Sequence, residues 1–466
     1  MYLPSQLLPG VAAVIALPIL AQRLTPTDLG VLTLSQSLVT LSWGATNQWL
    51  TSTVLRELPA ARESGSLGRF SLLLLRGLGI TGILLAGFAG LLAAGGALSE
   101  MIASNYWLIM AASAGLVFQN MAVTLFTAAL RPRACVLVEI PARVGGIAAG
   151  IALVYAGHGV HGYLAGIAGS SLVAGILGLV AAWPRAQPGI AADLGASYRS
   201  ELRAWISYGF PIGISAMVGW ALLLIDRYLL AWLDSTAATG IYSMGAAIGD
   251  KALSIPALAF FTAARPLLFK AMEERGRAEV ERLTRIYTRV LLLLAFPIIA
   301  VAFLTAPGLI LVLASPRYYS TAAPVIPLAA IGALVWALAL LGNTGLTTAR
   351  RSRPLLIASV AALVTNIGAN LVLIPADGIR GAAWATIIAN ATFLGVAQLW
   401  SRKHLTWRIP WPTVRRAGIA GAAGYAAALG ARELPDSPLA TFSGAAITCC
   451  VVYVLVLALL GERKAA

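Results

Sequence analysis

Fourteen apolar stretches follow one another along this chain, and the connections between them alternate between arginine-bearing and nearly charge-free. A helix needs about 20 apolar residues to cross the hydrocarbon core of a bilayer, where the backbone must satisfy its own polar groups. The stretches lie near residues 5–22, 29–50, 70–95, 104–129, 135–155, 162–182, 206–232, 240–264, 290–313, 322–346, 354–375, 381–400, 416–431 and 441–460. They predict an all-α polytopic membrane protein of about 14 transmembrane helices. The basic connections hold Arg56, Arg62 and Arg69; Arg131, Arg133 and Arg143; Arg185, Arg199 and Arg203; the run from Arg265 to Arg289; Arg350, Arg351 and Arg353; the run from Arg402 to Arg416; and Arg463 with Lys464. The intervening connections carry only Arg23, Arg317, Arg380 and Arg432. By the positive-inside rule the basic loops face the cytoplasm, which puts both termini there. Arg23, which follows the first stretch with no cation before it, argues alone for the reverse, and six later loops outweigh it.

A chain that is 59% hydrophobic, 11% charged and of mean hydropathy +0.84 is no soluble domain. Its net charge of +15 is spread over the basic loops and forms no single patch interleaved with aromatics, so anionic lipid headgroups, and not nucleic acid, are the expected partner. Cys135 falls at a helix end and Cys449 and Cys450 are neighbours, which implies no structural disulfide. No G-x-x-x-x-G-K-[ST] phosphate loop, no H-E-x-x-H and no His/Cys cluster is present, so no cofactor or metal is called for, and neither is a catalytic residue. Residues 5–22 lack the positive flank of a signal peptide.

The chain repeats itself. Leu20-Ala21 followed by Gly30 recurs as Leu230-Ala231 followed by Gly240, an offset of 210, and Gly159-Val160-His161-Gly162 recurs as Gly378-Ile379-Arg380-Gly381, an offset of 219. Six helices per repeat is an even number, so the halves share orientation and are related by a pseudo-two-fold axis along the membrane normal. The expected organisation is a six-helix lobe over 1–190, a second over 200–405, and peripheral helices 13 and 14 over 410–466. The longest hydrophilic run, 265–289, carries Glu273, Glu274, Glu279 and Glu281 among its cations and reads as an amphipathic helix on the cytoplasmic surface.

Charges inside spans mark function or pairing. Helix 7 carries Asp226-Arg227 and helix 8 carries Asp250-Lys251. Neighbours on a helix point about 100° apart, so the expected pairs run across the two helices: Asp226 with Lys251, or Arg227 with Asp250. Such pairs serve either as a clamp between helices or as cations facing a water-filled cavity. Arg76 on helix 3 and Arg265 at the end of helix 8 can reach the same cavity. Arg56 shifted by 210 falls one residue from Arg265, which suggests a basic ring at the cytoplasmic mouth, with snorkelling to lipid phosphates as the alternative. Asn366 and Asn370 share one face of helix 11 and serve either interhelical bonding or a sugar route.

Leu20-Ala21-Gln22-Arg23-Leu24-Thr25-Pro26-Thr27-Asp28-Leu29-Gly30 resembles the first external turn of polysaccharide-transporter flippases, the Wzx-like branch of the multidrug/oligosaccharidyl-lipid/polysaccharide exporter superfamily. Ile225-Asp226-Arg227-Tyr228 with Gly240-Ile241-Tyr242-Ser243 resembles that family's helices 7 and 8, and Asn366 to Pro375 with Gly378, Gly381, Ala382, Ala383 and Ala385 its helices 11 and 12. The resemblance implies a V-shaped pair of lobes in the bacterial inner membrane that carries an undecaprenyl-pyrophosphate-linked oligosaccharide to the outer leaflet for O-antigen, capsule or exopolysaccharide synthesis. A polysaccharide polymerase and a chain-length regulator are its further expected partners. Arg227, Lys251, Arg265 and Arg76 are then expected on the anionic headgroup, Asn366 and Asn370 beside the sugar, and Asp226 or Asp250 in ion coupling. The alternatives are a peptidoglycan-precursor flippase, whose Ser-Arg-x-x-Gly-type first-helix pattern is missing here, a cation-coupled drug antiporter, and a membrane enzyme of glycan assembly.

Overall fold

The computed structural model describes residues 3–94, 103–184, 196–313, 322–349, 351, 353–430 and 438–461. Among them there is no strand. The helices are α1 (Leu3–Ala21), α2 (Pro26–Glu63), α3 (Leu67–Ala94), α4 (Tyr106–Ala128), α5 (Pro132–Ile140), α6 (Gly146–Leu153), α7 (Gly159–Ala182), α8 (Ala196–Leu233), α9 (Thr236–Glu274), α10 (Arg277–Leu313), α11 (Val325–Gly342), α12 (Thr344–Thr348), α13 (Arg353–Ser401), α14 (Trp411–Gly430) and α15 (Pro438–Leu459). Eight continuous helical runs among the described residues are long and apolar enough to cross a membrane. Two of these, 132–182 and 353–401, are pairs of passages joined at a kink. With the shorter apolar α1 and α15 and the more polar α2 and α14, about 14 passages result, one for each apolar stretch.

Proline and glycine set the joints. Pro141 has no N–H to continue the α-helical ladder, and the chain runs through a π segment, Pro141–Gly145, between α5 and α6. The α13 break falls at Asp377 and Gly378, just after Pro375. Gly378 adopts φ 53°, ψ −128°, and Gly159, 219 residues earlier, adopts φ 54°, ψ −140°. The second repeat signal is thus the same backbone turn made twice, in a region only glycine tolerates cheaply. The first is a repeated N-cap: Thr25 closes a capping box with Asp28 at the start of α2, and Ser235, 210 residues on, accepts from the Ala238 amide at the start of α9.

The expected surface helix over 265–289 is not formed. Gly276, at φ +75°, breaks the run into the last turns of α9 and the first of α10. Glu281 there accepts from the Arg277 guanidinium at 2.8 Å and from the Thr406 backbone N–H at 2.8 Å, tying the turn to the 402–410 connection. The charges therefore extend two spanning helices and do not make a third.

The chain divides into two compact units, one of residues 1–16 and 23–224 and one of residues 17–22 and 225–466. The division falls inside α8, whose earlier turns pack within the first unit: Trp205 meets Phe70 at a tilt of 56° with centroids 5.4 Å apart, Trp220 meets Trp43 edge-on at 5.7 Å, and Thr53 Oγ1 donates to the Trp205 carbonyl at 3.4 Å. Small residues let α4 and α7 approach closely, and a methyl group at Gly175 would come within 2.7 Å of the Gln119 backbone nitrogen. In the second unit α14 and α15 pack on α10, with the Tyr453 hydroxyl donating to the Leu293 carbonyl at 2.9 Å and Leu304, Ala428, Ala445 and Cys449 forming a buried cluster.

Candidate functional site

The second unit carries two polar features inside its helical framework. The first is a layer around Asp226. Leu230, Ala238, Ile374 and Ala382 pack together as an apolar cluster. One helical turn away from them on the same faces stand Asp226 on α8, Tyr242 on α9, Asn370 on the first limb of α13 and Thr386 on its second limb. The Tyr242 hydroxyl donates to Asp226 Oδ2 at 2.6 Å, the Thr386 hydroxyl reaches the same oxygen at 3.5 Å, and the Arg227 backbone N–H donates to Asp226 Oδ1 at 2.9 Å. Asp226 is 5% exposed and Asn370 fully buried. Asn370 Nδ2 donates to the Asn366 carbonyl and to Asn366 Oδ1 at 2.9 and 3.0 Å, which leaves Asn370 Oδ1 buried without a hydrogen-bond partner. Burial of both amides, Asn366 at 1% exposed, removes them from any surface a sugar could reach in this conformation. The two amides are bonded to each other inside the first limb of α13.

The expected Asp226–Lys251 pair does not form. Lys251 Nζ instead bonds Asp250 Oδ2 at 2.8 Å, both side chains being 43% exposed, and Ser254 Oγ adds a contact to the same oxygen at 3.3 Å. The four-carbon lysine stem folds back on its neighbour, a reach that the 100° separation of adjacent side-chain directions does not prevent. Lys251 is therefore charge-compensated within α9. Arg227 is half-buried, about 100° round the helix from Asp226, and its carbonyl accepts from Thr239 Oγ1 at 3.3 Å.

The second feature is a cavity of about 250 Å³ lined by Phe261, Arg265, Asn343, Thr344, Thr347 and Thr348, among others. It sits where α9, α11, α12 and the start of α13 meet. No carboxylate lines it. Arg265 is exposed, and its guanidinium lies 5.9 Å from the Phe269 ring centre. In the first unit Arg56 stands over the Tyr208 ring at 4.5 Å, so the two arginines related by the repeat each rest on an aromatic face. Arg76 is exposed on α3 of the first unit. Of the expected headgroup ligands the structure thus gives Arg265 a cavity with neutral polar side chains around it, while Asp250 holds Lys251.

Tyr242 and Thr386 had no assigned role from sequence, and neither did Thr344, Thr347 and Thr348. For Tyr242 a signal existed: Asp226 and Tyr242 lie eight residues on either side of Asp234, at the α8–α9 turn, so an antiparallel hairpin sets them level.

The family model for polysaccharide biosynthesis proteins matches residues 1–272, more than half of the chain. The chain belongs to the polysaccharide biosynthesis protein family. Among solved structures it is similar to the lipid II flippase MurJ in an inward closed conformation, with a TM-score of 0.75 at 12% identity over 99% of this chain and 99% of that one. It is also similar to multidrug resistance MATE family transporters of the MOP superfamily, inward-facing (TM-score 0.63, 18% identity, 84% of this chain and 94% of that one) and outward-facing (0.53, 15%, 86% and 93%). At these identities the likeness is one of fold. Comparison with curated protein sequences finds no match.

Proposed function

We propose that this protein is a flippase that moves an undecaprenyl-pyrophosphate-linked oligosaccharide from the cytoplasmic to the periplasmic leaflet of the bacterial inner membrane, for O-antigen, capsule or exopolysaccharide assembly. The observation that carries it is the Arg265 cavity: a guanidinium among one amide and three hydroxyls, with no carboxylate lining the space. A pyrophosphate-linked sugar is anionic at one end and rich in hydroxyls at the other, and leaving water costs it several kcal/mol unless such groups replace its hydration. A cationic drug would meet the wrong charge there. Membership in the polysaccharide family and a fold shared with a lipid II flippase support the same reading. Arg227 and Arg76 remain further candidates for the headgroup.

Asp226 is the favoured coupling residue over Asp250, because a buried carboxylate held by the Tyr242 and Thr386 hydroxyls can take up a coupling ion in place of water, whereas Asp250 is bonded to Lys251. A polymerase and a chain-length regulator are the partners such a pathway step requires downstream.

The decisive experiment is binding of a short-chain polyprenyl pyrophosphate to the purified protein. Arg265→Ala should weaken it by at least about tenfold, the loss of one charge-assisted contact. Equal affinity of the variant, or equal binding of a polyprenol lacking phosphate, overturns the reading. The orientation is checked separately: in a background without native cysteines, His161→Cys and Asp377→Cys should react with an impermeant thiol reagent in intact cells, and Ser64→Cys and Glu274→Cys only after permeabilisation.

A further inference from the structure

On the first unit, far in sequence from every residue assigned above, α4, α5 and α7 enclose an open apolar groove of about 510 Å³. Leu137 and Val138 form one wall, Val173, Ala174 and Leu177 the other. Leu137, Val173 and Leu177 are 74%, 60% and 66% exposed, so the groove opens away from the protein. Small residues make the hollow: Ala134, Ala174, Gly178 and Ala181 stand where longer side chains would fill it. Pro141 ends it, and there the Ser170 hydroxyl shares its one proton between Pro141 O at 2.9 Å and Ala142 O at 3.0 Å, the latter also accepting from the Gly146 backbone N–H. An end whose carbonyls are already hydrogen-bonded suits a hydrocarbon.

Its length has a natural measure. From Ala134 to Pro141 on α5 and from Ala181 to Ser170 on α7 the lining runs roughly 10 to 16 Å at about 1.5 Å per residue. That is about half of the ~30 Å hydrocarbon core, the depth of one leaflet. At the open end stand Arg131 and Arg133, both exposed and, among the described residues, with no acidic partner. Glu139, the nearby acid, is given to Arg143 at 3.5 Å. Leu130, at the turn between α4 and α5, has φ 57° and is 84% exposed, an apolar side chain presented beside two cations.

We infer that this groove is a binding site for an anionic phospholipid of the leaflet that Arg131 and Arg133 face, one acyl chain lying between α5 and α7 and the phosphate on the two arginines. A neutral lipid would fill the groove but leave the cations without a counter-charge. A partner's transmembrane helix, which must cross the whole ~30 Å core, would outrun a groove that ends at Pro141 after about half that depth.

The test is native mass spectrometry of the full chain released from a phosphatidylglycerol/phosphatidylethanolamine mixture. Wild type should retain phosphatidylglycerol preferentially. Arg131→Gln and Arg133→Gln should each lower that retention about fivefold, in line with the attraction of one basic residue to an anionic surface. Ala181→Phe, at an exposed position in the groove, should lower retention of both lipids. Arg265→Ala should leave the lipid pattern as in wild type, so failure here and failure of the transport reading are separate results. Unchanged phosphatidylglycerol retention in the double arginine variant overturns the headgroup assignment, and unchanged retention in Ala181→Phe overturns the groove. Thermal unfolding of the exposed-site variants, expected to match wild type, confirms that lost lipid does not reflect lost fold.

Discussion

The Tyr242 hydroxyl lies 2.6 Å from Asp226 Oδ2, and the two residues stand level on neighbouring helices with Asp226 shielded from solvent. A buried carboxylate in such company must either be hydrogen-bonded throughout or exchange a proton or ion with its surroundings. Tyr242→Phe should therefore destabilise the protein by about 1–3 kcal/mol, the cost of a buried acceptor deprived of its donor. If Asp226 holds sodium, the wild type's melting temperature should rise with sodium but not with choline, and Asp226→Asn should abolish that rise. A melting temperature indifferent to sodium and to pH in the wild type would remove Asp226 from coupling.

Lys251 and Asp250 form a local pair at 2.8 Å with nearly half of each side chain exposed. Such pairs contribute about 0–1 kcal/mol. Lys251→Gln should leave the amount of protein in the membrane within error of wild type. A severalfold drop, restored by exchanging the two charges, would mean that the pair clamps helices together after all, as buried pairs do at about 3–5 kcal/mol.

Gly159 and Gly378 adopt nearly the same positive-φ conformation at equivalent places of the repeat. Replacing either by alanine should cost about 1–3 kcal/mol through backbone strain, read as a fall in melting temperature. Gly169→Ala, inside α7 with open space around it, is the control and should be neutral or stabilising. Equal effects at all three would deny the turn its role.

Glu281 lies outside the apolar stretch of α10, where the Thr406 backbone N–H, helped by Arg277, holds its carboxyl below the ordinary carboxylate range. Because the folded-state pKa is depressed, the stabilisation is complete above the unfolded value of about 4.3 and is lost as pH falls through the folded one. Glu281→Gln should thus lower the melting temperature slightly at pH 7, with the difference from wild type closing below about pH 4. A difference that persists in acid would mean that shape and not charge matters at this position.

Hydropathy and spacing alone determined the membrane class, the number of passages and the repeat, because a segment that must bury its backbone in hydrocarbon writes its length directly into composition. Thr25 and Ser235, or Gly159 and Gly378, were legible for a similar reason: caps and positive-φ turns are local choices of a few residues. Helix ends were less so. α2, α9 and α10 run well past their apolar stretches because a helix leaving the membrane can continue on polar residues until something stops it, as Gly276 does. Pairing was decided only by the tertiary structure. The hairpin spacing sets Tyr242 level with Asp226, but nothing in a linear reading says that Thr386 joins them, that Lys251 turns back on Asp250, or that Arg265 borders Thr344 to Thr348. Those contacts join residues as many as 160 positions apart, and they depend on which faces α8, α9, α11 and α13 turn toward one another, a matter of packing that composition and periodicity do not contain.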